Sequence, residues 1–349
     1  MKKYLFIVDD LYGGGAEKVL LNTASLLKKA GADVIIYTLR EKIEHTIPDN
    51  LTPINLGIVN WLTKSISNVF IEKIQASLIL KEIKKINPDV IISCSCDKIT
   101  RHLPDILNIY YWIHGNVTGF SKSNTKSYKK FKRFYNDKKL ICVSQGIADD
   151  ILKNVKALPK SCQVIYNPFD IDKIHSLADE NFLRPFDKYF IHVGTFEERK
   201  RHDRLLQAYQ MSGVETPLVL MGKGDLRKKI EEMIEEMNLG NKVKIIDFQK
   251  NPYPYIKSAQ ALILTSDAEG LPTVLIEALI CHTPVISVDC PSGPSEILKT
   301  PLNEFLIQLE DINGIATAIV KTDGERATIN QNSYQIFSSK KVLSEFMLL

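Results

Sequence analysis

Little in this 349-residue chain points to a fibre, a membrane span or a disulfide scaffold. Cysteine is sparse. Cys94, Cys96, Cys142, Cys162, Cys281 and Cys290 form no Cys-x2-Cys pair, so the spacing of a structural zinc site is missing. They read instead as reduced, mostly buried thiols. The 17 glycines and 15 prolines are too few and too aperiodic for collagen or a low-complexity tract. No run approaches the roughly 18 uninterrupted apolar residues that cross a bilayer. The apolar run 4–8 stops at Asp9 and Asp10 and no small-residue cleavage site follows, which predicts a cytosolic protein. There is no Walker A loop, no Gly-x-Gly-x-x-Gly and no Asp-x-Asp cluster in a context suited to a metal.

What is present is an ordinary globular composition, 44% hydrophobic and 25% charged, long enough for two domains. The net charge of +4 is unevenly spread. Residues 1–170 hold 25 Lys and Arg against 16 Asp and Glu; residues 171–349 hold 20 against 25. Halves of opposite sign suggest different partners. Apolar strand-like runs fall at 4–8, 33–38, 89–93, 109–113 and 140–143. Helical periodicity falls at 16–29, 66–86, 124–136 and 145–154. The alternation restarts at 189–193 and continues through strands 217–221, 243–248, 261–265 and 284–288, with helices 203–211, 225–237 and 273–280 between them. Apolar strands alternating with helices predict an α/β fold of two doubly wound, Rossmann-like domains with parallel sheets, facing across a cleft. The expected division is 1–167 and 168–335, at Asn167-Pro168-Phe169-Asp170, with a helix in 336–349 that could pack back on the first domain. Ligands of such sheets bind beyond the carboxyl ends of the strands, so the loops there carry the chemistry.

Five such loops stand out. Gly13-Gly14-Gly15-Ala16-Glu17 joins the first strand to the first helix; it is either a flexible turn or a close backbone approach to an anion at the helix N-terminus. His114 ends the strand in Tyr111-Trp112-Ile113-His114-Gly115-Asn116, as a structural histidine or as a donor to a ligand hydroxyl. Gly194-Thr195-Phe196-Glu197-Glu198-Arg199-Lys200-Arg201-His202 brings three cations to what reads as a helix start. They form either a solvated cluster or a phosphate site. Ser266-Asp267-Ala268-Glu269-Gly270-Leu271-Pro272-Thr273-Val274 leads into a helix with Glu277; it is either a capped helix with one stray glutamate or a ligand loop, in which this carboxylate on an apolar helix finds its partners in ligand hydroxyls. Asp289-Cys290-Pro291-Ser292-Gly293-Pro294-Ser295-Glu296 is a further strand-to-helix loop.

These five segments, in this order, resemble the retaining GT-B glycosyltransferases of the large family four, in the branch that builds bacterial lipopolysaccharide, O-antigen, capsule and N-glycan precursors. The resemblance covers nearly the whole chain; Glu269-x7-Glu277 with the following Pro/Gly loop is its most specific part. It implies a UDP-sugar co-substrate held mainly by the second domain, with no metal cofactor. By the resemblance, Glu277 would bind ribose hydroxyls and Glu269 would sit beside the donor sugar. Lys200 and Arg199 would hold the diphosphate, with Arg199 displaced from the family's usual arginine position. Gly194, Thr195, Gly222, Asp267, Gly270, Thr273 and Val274 would line the donor site, Gly14 and Gly15 would close on the phosphates, and His114 would contact the sugar as a catalytic residue. The reaction would transfer a hexose or N-acetylhexosamine to a saccharide, lipid-linked or free.

The segment 120–139 interleaves Lys122, Lys126, Lys129, Lys130, Lys132, Arg133, Lys138 and Lys139 with Phe120, Tyr128, Phe131, Phe134 and Tyr135. It suits a solvated face, an anionic inner-membrane surface or a phosphate-bearing acceptor; the acidic second half argues against nucleic acid. The rival readings are a nucleotide-sugar epimerase or soluble sugar synthase, a binding protein that has lost catalysis, and a nicotinamide dehydrogenase. The dehydrogenase is disfavoured because its glycine spacing is missing.

Overall fold

The structure is a computed structural model that describes residues 1–13, 15–60, 68–120 and 125–349. The chain divides into two compact units, Met1–Pro168 with Ser339–Leu349, and Phe169–Ser338.

The first unit is built on β1 (Lys3–Val8), β2 (Asp33–Thr38), β3 (Ile54–Asn55), β4 (Val90–Cys94), β5 (Ile109–Ile113), β6 (Lys139–Cys142) and β7 (Ser161–Val164). All pairs are parallel, in the order 3-2-1-4-5-6-7. The inner strands β4 and β5 are buried along their whole length, which is why they read as continuous apolar runs rather than alternating ones. The helix expected over 66–86 runs Val69–Ile86; residues 66 and 67 lie outside the described residues. Asn68 starts it, its side chain accepting from the amides of Phe70 and Ile71. Glu72, buried on this helix, is satisfied by Arg101 at 2.8 Å and His102 at 3.1 Å.

The basic segment forms the helix Thr125–Tyr135. Phe134 and Tyr135 are buried, while Lys126, Lys129, Lys130, Lys132 and Arg133 are exposed; Tyr128 and Phe131 are half-buried, and Lys130 Nζ reaches over the Phe131 and Phe134 rings, 5.5 and 5.4 Å from their centroids. The helical period sorts what looks interleaved in sequence into two faces. Lys122 lies outside the described residues. The chain's last helix, Ser339–Met347, belongs to this first unit: Tyr4 donates to the Phe346 carbonyl at 3.1 Å, and the Phe346 ring meets Trp112 edge-on.

The second unit carries β8 (Phe190–Val193), β9 (Leu218–Gly222), β10 (Val243–Asp247), β11 (Leu262–Leu264), β12 (Val285–Val288) and β13 (Leu306–Ile307), again all parallel, in the order 10-9-8-11-12-13. The α/β class and the two parallel sheets are therefore as expected. The two-residue strands β3 and β13 escaped the sequence, being too short to show periodicity. Each sheet reverses its order at one point, between β1 and β4 in the first unit and between β8 and β11 in the second. Such reversals open a crevice at the carboxyl ends of the strands concerned. Among the described residues no helix is long and apolar enough to cross a membrane.

Candidate active site

In the second unit the two loops flanking the reversal point, after β8 and after β11, converge on one carboxylate. Glu269 is 7% exposed, and both its oxygens are paired: Oε1 with Lys200 Nζ at 2.7 Å, Oε2 with Arg199 at 3.1 Å. Burial acts to raise the Glu269 pKa, but the two cations outweigh it and hold the carboxyl below its ordinary range. Arg199 also bonds Glu197 at 2.6 Å and the Ala268 carbonyl at 2.8 Å, so it clasps the second loop by backbone as well as by charge.

The expectation that three cations open a helix is corrected here. Glu198–Lys200 is a single 3-10 turn, Arg201 adopts a left-handed conformation (φ 51°), and the helix begins only at His202. That reversal divides the cations. Arg199 and Lys200 face Glu269, whereas Arg201 folds back on Asp203 and Asp267. Asp267 is held a second time by Arg204, at 2.9 Å. Arg204 is almost fully buried and also donates to the Thr265 carbonyl and Glu310. Arg201 and Arg204 thus lock the loop that presents Glu269. Arg204 was not legible as a site residue, because a buried arginine inside a helix has no motif of its own.

Three glycines are explained by close approach. A Cβ on Gly222 would lie 1.8 Å from the Gly194 carbonyl oxygen, so the loop after β9 rests directly on the backbone after β8. A Cβ on Gly194 would meet the Lys200 stem at 3.6 Å and His192 Nε2 at 3.2 Å. Gly293 packs the loop after β12 against Leu271 and Pro272, at a φ of 103°. Thr195 is exposed and bonds Glu197. His192 and His202 lie beneath this loop, ring centroids 4.8 Å apart; burial depresses both, His202 to about 4.

Pro272 caps the helix Thr273–Ile280 rather than occupying its first position. Thr273 and Val274 begin that helix, where amides have no intrahelical acceptor. Gly270 is buried in the loop before it. Glu277, half-buried on the same helix, receives the Tyr253 hydroxyl at 3.2 Å, a partner from a helix twenty-four residues upstream that sequence reasoning missed.

The other residues singled out in the sequence lie in the first unit. His114 follows β5, its ring 4.4 Å from that of Trp112, and burial lowers its pKa to about 3. It is therefore neutral at physiological pH, and its Nε2 has no hydrogen-bond partner among the described residues. The loop that carries it is pinned by Asn116, which accepts from the Gly119 amide at 2.7 Å, and by buried Asp150, which accepts from Thr118 Oγ1 at 2.6 Å. Gly15 starts the helix Gly15–Lys29, with open space where a Cβ would lie. Gly14 lies outside the described residues.

With this geometry in view, three comparisons converge. Residues 13–173 match the family model described as Glycosyltransferase Family 4, and residues 176–335 match Glycosyl transferases group 1. A glycosyltransferase of Methanocaldococcus jannaschii, MJ1059, is 31% identical over 249 residues, 64% of this chain and 61% of that protein; the match thus spans less than two thirds of that relative. The N-acetylgalactosamine-N,N'-diacetylbacillosaminyl-diphospho-undecaprenol 4-alpha-N-acetylgalactosaminyltransferase of Campylobacter jejuni is 26% identical over 90% of this chain and 88% of its own. Among solved structures, the lipopolysaccharide outer core galactosyltransferase WaaB superposes with a TM-score of 0.77 at 21% identity, covering 99% of this chain and 98% of that one. Anabaena HepE in complex with UDP-glucose superposes with a TM-score of 0.72 at 18% identity, covering 99% and 100%. The chain accordingly consists of a Glycosyltransferase Family 4 domain followed by a Glycosyl transferases group 1 domain, each on one of the two parallel sheets of the GT-B fold.

Proposed function

We propose that this protein is a hexosyltransferase of bacterial surface-polysaccharide assembly, acting at the cytoplasmic face of the inner membrane. It transfers a hexose or N-acetylhexosamine from a UDP-sugar to a saccharide acceptor, lipid-linked as in the Campylobacter relative, with retention at the anomeric carbon. The observation that carries this reading is the convergence of Lys200, Arg199 and Glu269 at the reversal point of the second sheet, with Glu277 on the helix that follows.

Breaking the bond to the nucleotide leaves negative charge on the β-phosphate oxygen. Lys200, Arg199 and the first amides of the helix Thr273–Ile280 are the groups that stabilise it, so departure needs no metal. Glu277, oriented by Tyr253, accepts the ribose hydroxyls. Glu269 lies beside the donor sugar. Its carboxylate, bonded by the donor-sugar hydroxyls, acts electrostatically on the positive charge that develops at the anomeric carbon, while the acceptor attacks from the face the nucleotide leaves. Gly194, Thr195, Gly222, Asp267 and Gly270 shape the donor site, and Gly14 and Gly15 admit the phosphates. His114, neutral and with a ring nitrogen unpaired among the described residues, bonds a sugar hydroxyl.

The test is a thermal-shift screen across nucleotide sugars, followed by a transfer assay with undecaprenyl-diphosphate saccharides. A UDP-sugar should raise the melting temperature by mass action and be consumed only when acceptor is present. Consumption without acceptor would identify an epimerase or a hydrolase instead.

A further inference from the structure

Lys200 and Arg199, the groups available to a diphosphate, are already paired. Lys200 is spent on Glu269, and Arg199 on Glu269 and Glu197. Two cations facing two carboxylates leave no net positive charge for an incoming anion. A diphosphate docked without rearrangement would stand beside the buried Glu269 carboxylate, where like charges repel strongly. We propose that Glu269 competes with the diphosphate for Lys200 and Arg199, so that the site holds an intact nucleotide sugar well and the spent nucleoside diphosphate poorly. This inference rests on the donor site proposed above and adds to it the discrimination between donor and product.

The chemistry follows from what each ligand offers in return. When the diphosphate draws the two cations away, Glu269 is left buried and needs other donors. The hydroxyls of a donor sugar supply them. Once the sugar has been transferred, nothing replaces those hydroxyls. Glu269 then recovers Lys200 and Arg199, and the diphosphate loses its counter-charges. The same carboxylate that faces the reacting sugar thereby drives product release. Glu197 contributes through Arg199 alone, from an exposed position, and so more weakly.

Isothermal titration calorimetry of UDP and GDP, with the wild-type protein, Glu269→Gln and Glu197→Gln, tests this. Glu269→Gln keeps the shape and removes the charge. It should bind the accepted nucleoside diphosphate about tenfold more tightly than wild type, since charge-pair differences of this kind are worth at least about a factor of ten. Glu197→Gln should tighten it about two- to threefold, as expected of an exposed pair. Unchanged or weaker binding by a folded Glu269→Gln would sink the inference while leaving the donor site intact. If that variant does not fold, Glu197→Gln decides: unchanged or weaker binding overturns the proposal. Failure of either nucleotide to bind any of the three proteins would instead remove the donor-site reading itself.

Discussion

Lys200 Nζ stands 2.7 Å from Glu269 Oε1, joining the loop after β8 to the loop after β11 across sixty-nine residues of chain. The pair is about one-tenth exposed on either side, so removing Glu269 strands Lys200 in a low-dielectric setting, and removing Lys200 leaves Glu269 to Arg199 alone. Lys200→Ala should therefore lower kcat by about a hundredfold or more, the usual cost of losing a charge-stabilising donor. Single-turnover rates at saturating UDP-sugar separate this from weakened binding; an unchanged rate would detach Lys200 from the chemistry.

Glu277 and Tyr253 form the second testable pair. Glu277→Ala should raise the Kd for the UDP-sugar by about tenfold to a hundredfold, the worth of hydrogen bonds to a charged acceptor. Tyr253→Phe, which frees the carboxylate to rotate but keeps its charge, should cost only about threefold. Calorimetry on the two variants reads both, and equal effects would mean that the hydroxyl itself touches the ligand.

Glycines at two loops should behave oppositely. Gly222→Ala forces a methyl to within 1.8 Å of the Gly194 carbonyl oxygen, and should cost about 3 kcal/mol or more of stability. At Gly15 a methyl meets nothing within 4 Å, so Gly15→Ala should stay within about 0.5 kcal/mol of wild type. Urea unfolding distinguishes them. A folded but inactive Gly15→Ala would then place the donor phosphates against that backbone.

The pH dependence follows from His202. Its folded pKa, about 4, lies below the ordinary 6.5, because burial disfavours the charged ring. Between those values the unfolded chain binds a proton that the folded chain does not. Stability is therefore undiminished above about pH 6.5 and falls as the pH drops toward 4. His202→Leu, set among Phe196 and His192, removes this term. Relative to wild type it should gain about 2 kcal/mol between pH 8 and pH 5. Thermal melts at the two values measure it, and parallel losses in both proteins would show that His202 takes up its proton freely in the fold.

Much of the fold, and which loops carry the candidate residues, was legible in the sequence. Strands buried on both faces are apolar throughout, as in 109–113, and therefore announce a parallel sheet. Glu269 and Glu277, with the loops holding Lys200 and His114, each follow such a strand, and in this fold the loop after a strand is where ligands dock. Element edges moved by a residue or two, as at Asn68, where a cap rather than periodicity decides the start.

Other features depended on contacts between residues far apart in the chain. The period of 3.6 predicts that the helix Thr125–Tyr135 has two faces, but only packing shows that Phe134 and Tyr135 are core while the lysines beside them meet solvent. The left-handed turn at Arg201 sent Arg199 and Lys200 to Glu269 and Arg201 to Asp203 and Asp267, and nothing in a run of Arg-Lys-Arg says which will go where. Local residue types set the elements and their order, because periodicity and turn chemistry are properties of neighbours along the chain. Tertiary structure decided the charge pairings, because a carboxylate's partner is whichever cation the sheet brings within hydrogen-bond reach.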